Sequence, residues 1–324
     1  MAPGTGPAGE QPTRVIAMMN QKGGVGKTTT TVSLAAAFAR AGRRTLVIDL
    51  DPQAHASMHL GVEPSEDVGS IYDLIIGGEA SRCAVEAREN LWVVPGETDL
   101  AGAESELADA SDRHARLRRG LDAMRGRFDF VLIDCPPSLG HLTLNGLVAA
   151  GEVIIPMQAH FLALQGVGKL LETVQIVRGG LNPRLTVSGV VLCMHDKQAT
   201  HAQEVVEDIR NFFESAAEQP ESPWHEARVF EPAIRRNIKL AECPSFGQTI
   251  FEYAPTAAGA EDYEALARAM LGAWDADLLR RGITPEIHIK SDATRASIEA
   301  AHVSLAAARA AMEAAHQSTG HSST

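Results

Sequence analysis

The run Lys22-Gly-Gly-Val-Gly-Lys-Thr-Thr29 packs two lysines, three glycines and two hydroxyls into eight positions. Glycine at that density lets successive backbone N–H groups turn inward on an anion, and a helix starting at the same point adds the positive end of its dipole. A nucleoside triphosphate with Mg²⁺ is the ligand this spacing predicts. The backbone of Gly23, Gly24, Val25 and Gly26 cradles the phosphates, Lys27 neutralises the β and γ oxygens, Thr28 offers its hydroxyl to Mg²⁺, and Thr29 donates to the α-phosphate.

Two further segments supply carboxylates. FDFVLIDCPP (128–137) puts Asp134 at the C-terminal end of an apolar run, where it would hold Mg²⁺ through the ion's water shell. TLVIDLD (45–51) ends in Asp49 and Asp51, expected on opposite sides of the strand end, with only one facing the γ-phosphate. Asp51, next to Pro52, is assigned to orienting the attacking water, and Asp49 to helping at the Mg²⁺ site.

Such a loop needs a strand before it and a helix after it. VIAMMN (15–20) is a short apolar run, and TTTTVSLAAAFARAG (28–42) has helical spacing with Gly42 as its stop. LWVVPG (91–96), EVIIPM (152–157) and LTVSGVVLCM (185–194) add strands to those at 45–51 and 128–137, giving six, most separated by helical stretches. Continuous apolar strands alternating with helices predict a doubly wound α/β fold, its mostly parallel sheet covered on both faces.

Residues 1–13, rich in Gly and Pro, are expected to form a disordered tail. The main domain is expected over 14–275 and a C-terminal extension over 276–324, with an Ala-rich helix at about 292–316 and a polar end. A net charge of −12 excludes a surface that attracts polyanions over its whole area, so any such contact must be a local patch. Cys83, Cys135, Cys193 and Cys243 are widely spaced and indicate neither a zinc site nor a disulfide framework. The start lacks the basic and apolar regions of a signal peptide, and no apolar run is long enough to span a bilayer. A soluble, cytoplasmic protein is expected.

KGGVGKTT with its extra leading lysine, IDLDPQ, LIDCPPS and RRNIKLAECPSFGQTI together resemble the ParA/MinD group of deviant Walker A ATPases, the ParA branch in particular. The likeness runs from about Arg14 to about Gly272. It implies ATP hydrolysis with Mg²⁺ and an ATP-sandwiched homodimer in which Lys22 reaches the partner subunit's phosphates, meeting developing charge with a preplaced cation. It also implies non-specific DNA binding to the nucleoid through Arg235, Arg236 and Lys239, with Lys197 nearby; Gln198 stands where the family often has arginine. A ParB-like or adaptor protein would stimulate hydrolysis, and no membrane would be involved. No helix-turn-helix region precedes the loop, which matches the short ParA form. Three other readings fit the motifs: positioning of a protein cargo, a nucleotide-gated scaffold without catalysis, and a metal-cluster ATPase of the NifH type.

Overall fold

Among the described residues, eight strands pair into one sheet: β1 (Arg14–Met18), β2 (Thr45–Asp49), β3 (Val85–Arg88), β4 (Leu91–Val94), β5 (Phe130–Asp134), β6 (Glu152–Met157), β7 (Thr186–Leu192) and β8 (Arg228–Phe230). Their order is β3-β4-β2-β5-β1-β6-β7-β8. All neighbours run parallel except the edge pair β3 and β4. This computed structural model describes residues 11–65, 67–77, 80–196 and 200–288. Lys197, Gln198, the helix expected at 292–316 and all but the last three residues of the expected N-terminal tail lie outside them.

Six strands were legible and two were not. VEAR has no apolar run and RVF is only three residues long, so neither leaves a periodic signature; both sit at the edges, where one neighbour suffices.

The helices are α1 (Lys27–Arg40), α2 (His55–Leu60), α3 (Ile71–Ile76), α4 (Ala80–Cys83), α5 (Leu100–Leu107), α6 (Arg116–Ala123), α7 (His141–Ala149), α8 (Phe161–Gly180), α9 (Thr200–Ala216), α10 (Lys239–Glu242), α11 (Ile250–Tyr253) and α12 (Ala258–Arg280). One face of the sheet buries Val32, Leu34, Phe38, Val47, Leu132, Tyr263 and Leu266, tying α1 and α12 to β2 and β5. The other buries Ile48, Leu117, Ile133, Leu147, Val153 and Leu170 under α6, α7 and α8. Two covered faces explain why β2 and β5 are buried along their whole length. Helix α1 stops where expected: Gly42 has φ of 78°, and Arg43 N–H donates to Phe38 O.

The compact unit continues past residue 275 to Glu286. Asp275 takes the buried Arg43 guanidinium at 2.6 Å, and the Glu286 carbonyl takes the same group at 2.6 Å, so the stretch after 275 is bound into the core. Gly189 in β7 has φ of 143°, and a Cβ there would fall on the Arg228 carbonyl of β8. Only glycine lets the two strands pair at that point.

Candidate nucleotide site

The loop from Asn20 to Gly26 joins β1 to α1 and is held from β6. Asn20 Nδ2 donates to Pro156 O at 2.8 Å, and Gln158 Nε2 to Gly24 O at 3.2 Å. Gly24 and Gly26 have φ of 72° and 94°, a conformation that turns the backbone into a cradle. At Gly26 a Cβ would also crowd Cys193 Cβ at 3.2 Å, so the position is fixed by conformation and by space.

Lys27, Thr28, Asp51 and Asp134 converge at the C-terminal ends of β2 and β5. Lys27 Nζ lies 3.5 Å from Asp134 Oδ1 and 3.9 Å from Asp51 Oδ2. Thr28 Oγ1 donates to Asp134 Oδ2 at 2.6 Å, and Thr31 Oγ1 to Asp134 Oδ1 at 3.1 Å. Burial works against the Lys27 charge, but the carboxylates of Asp134 and Asp51 outweigh it and the ammonium holds its proton more tightly than an ordinary lysine. A hydroxyl and a carboxylate beside a lysine form a hard-oxygen set that fits Mg²⁺, with Thr28 and Asp134 as the residues to hold it.

Asp49 is placed differently from the expectation. Its partner across the sheet is Asp134, but its Oδ2 accepts the backbone N–H and the hydroxyl of Ser57, both at 2.7 Å, while Oδ1 is buried and makes no well-formed hydrogen bond among the described residues. Burial first, then Asp134, pushes its pKa up to about 7. It anchors the start of α2 instead of meeting Thr28. Nor does strand alternation part Asp49 from Asp51, because positions two apart on an unbroken strand share a face. β2 ends at Asp49, and Asp51 lies in the following turn, capping Gln53 N–H at 3.0 Å.

Lys22 is exposed at the outer rim, its Nζ 2.7 Å from His160 Nε2 and away from the buried cluster.

Beside the loop lies a mostly apolar cavity of about 450 Å³, lined by Gly26, Thr29, Cys193, Met194, Ile234, Arg236, Asn237, Ile238, Leu240, Ala241 and Tyr263. It opens from Thr29, next to where phosphates would lie, so a purine base and its ribose fit there. Burial pushes the Cys193 thiol up to about 11, leaving it a neutral wall group. The far wall continues the sheet: Ile234 N–H donates to Leu192 O and His195 N–H to Ile234 O, both at 2.8 Å. No single spacing pattern marks this cavity, because its lining comes from four separated segments.

The basic positions expected to meet DNA diverge. Arg235 is spoken for: its guanidinium holds Asp262 and Glu261, and its backbone N–H donates to Asp262 Oδ2. Lys239 Nζ is bound to Glu242 at 2.8 Å and lies over the Tyr253 ring. Arg236 is exposed on the cavity rim, with no ion pair among the described residues.

A family model described as an AAA domain matches residues 13–187. The chain is 43% identical to "Chromosome partitioning protein ParA" of Myxococcus xanthus over 80% of its length and 88% of that protein's. It is 40% identical to "Sporulation initiation inhibitor protein Soj" of Bacillus subtilis, over 79% of this chain and 97% of that one. Among solved structures, the cobyrinic acid a,c-diamide synthase of Mycobacterium smegmatis with bound ADP and magnesium superposes with a TM-score of 0.67 at 36% identity, covering 86% of this chain and 99% of that one.

Proposed function

The chain belongs to the ParA branch of the ParA/MinD family of ATPases, and from that premise we propose that it is a partition ATPase whose ATP-bound dimer sits on DNA and leaves it after hydrolysis. The observation that carries this reading is the convergence of Lys27, Thr28, Asp51 and Asp134 on one point while Lys22 stands outside them, exposed at the rim beside His160. ATP lies with its base in the cavity beside Thr29 and its phosphates along the loop. Mg²⁺ supplies charge neutralisation at the phosphate oxygens. Asp51 orients a water for attack on the γ-phosphorus, Lys27 meets the charge that develops, and ADP and phosphate leave. Loss of the γ-phosphate removes what the two protomers share, and the dimer parts. A partner protein of the ParB or adaptor kind speeds the step.

Higher identity to partition proteins than to the diamide synthase supports this over an amidation role. Among the described residues no helix is long and apolar enough to cross a membrane. Phosphate release, dimerisation and DNA retention measured with ATP test the reading together. Lys22→Ala should leave ATP binding intact and abolish the dimer. Asp51→Ala should lock the dimer on DNA, and either variant behaving as the parent protein would sink the proposal.

A further inference from the structure

The turn that carries Asp51 is strained. Ala54, three residues on, has φ of 52° and ψ of 32°, the left-handed region that a residue with a Cβ rarely adopts. Its N–H donates to Asp51 O at 2.9 Å, and Gln53 N–H donates to Asp51 Oδ1 at 3.0 Å, so the backbone between 51 and 54 sets where the Asp51 carboxylate points. Its Oδ2 is then the oxygen that faces Lys27. A conformation of this kind persists only where the surroundings over-determine it.

Those surroundings are Asp49 and Ser57, one on each side of the turn. Ser57 N–H and Oγ–H both donate to Asp49 Oδ2 at 2.7 Å. The same hydroxyl accepts Gly96 N–H at 2.8 Å, and Gly96 comes so close that a Cβ there would stand 3.0 Å from Asp49 Cγ. One hydroxyl thus joins the end of β2, the first turn of α2 and the segment after β4. Ser57 is 1% exposed and Asp49 is fully buried, so water competes for none of these bonds. The amide bond alone would satisfy the start of α2; the hydroxyl adds ties that the helix does not require. On the other side, Leu50 N–H donates to Asp134 O at 3.0 Å, which fixes the strand up to the turn.

Resting on the reading that Asp51 orients the attacking water, we propose that Ser57 is a positioning residue for ATP hydrolysis: its hydroxyl clamps the strained turn and so holds the Asp51 carboxylate beside Lys27. Ser57 lies behind the turn and acts through Asp51. Its contribution is to geometry at the reacting water, which counts in the transition state and not in the binding of ATP.

Phosphate release by the full chain with ATP and Mg²⁺, without DNA or partner protein, tests the assignment. Ser57→Ala should lower kcat about tenfold with KM for ATP unmoved, because a small displacement of a reacting group costs rate before it costs binding. Turnover of Ser57→Ala/Asp51→Ala should equal that of Asp51→Ala alone, since the serine has nothing left to position. A serine that merely supported the fold would slow that background by the same factor again, and this outcome overturns the proposal. If Asp51→Ala is slow but Ser57→Ala matches the parent protein, the clamp falls and hydrolysis through Asp51 stands. If Asp51→Ala keeps full turnover, both readings fall. Should Ser57→Ala melt below the assay temperature, Ala54→Val decides, because a β-branched residue resists the left-handed region and leaves the buried bonds untouched. It should lose kcat with KM unmoved, and turnover like that of the parent protein overturns the proposal.

Discussion

Lysine and arginine do opposite work at two places about the same cavity. In the phosphate loop Lys27 is buried, and two carboxylates, Asp134 at the end of β5 and Asp51 in the turn after β2, aim at it; around residues 235–239 Arg235 and Lys239 are exposed, and carboxylates close by in the fold absorb them. Burial at the first place makes each charge depend on its exact opposite number, since an unpaired ion there would cost several kcal/mol. Exposure at the second lets water stand in for any partner. Residue type alone therefore marks a role only where the fold also withdraws solvent.

Substitutions can break that contrast, and the largest effect should come from Lys27→Ala, with ATP turnover falling roughly 10³-fold in a phosphate-release assay. Asp51→Ala should cost about 10²-fold in kcat while ATP affinity, read by titration, changes little. His59 sharpens the comparison because it joins the two places: it sits on α2, just after Asp51, and its Nε2 lies 3.3 Å from Cys243 Sγ, just after α10. Burial lowers its pKa from 6.5 to about 4. The folded state thus binds fewer protons than the unfolded one between those values. Stability is fully present above about pH 6.5 and is lost as pH falls towards 4, by up to about 3 kcal/mol in urea unfolding. His59→Gln should flatten that window. Ala241→Trp, which fills the cavity from its rim, should raise KM for ATP about tenfold and leave kcat alone. Smallest of all, Arg235→Ala should lower Tm by only about 2 °C and leave phosphate release untouched. A large loss of turnover there would erase the distinction between the two places.

Where the chain declares itself early is also where local rules suffice. The loop could be read because its glycines, lysine and threonines are contiguous, and because apolar runs of three to five residues reveal β1, β2, β4, β5, β6 and β7. Asp49 could not be read: its fate depends on β2 stopping at that residue and on Ser57 lying eight positions on, within reach only once α2 has folded back. Arg235 looked like a surface cation until α12 brought Asp262 beside it. The cavity behind Thr29 and the His59–Cys243 contact join residues more than a hundred positions apart, and no spacing rule covers that distance.

Gly189 carries a consequence for how ligand and scaffold share stability. The short strand β8 hangs from the sheet at that glycine, and the polypeptide that leaves β8 goes on to wall the cavity. A nucleotide seated there would act as a brace for the sheet's outermost rung, so amide hydrogens of Val229 and Phe230 should exchange with solvent more slowly when it is bound. A saturation library at position 189 should return glycine alone.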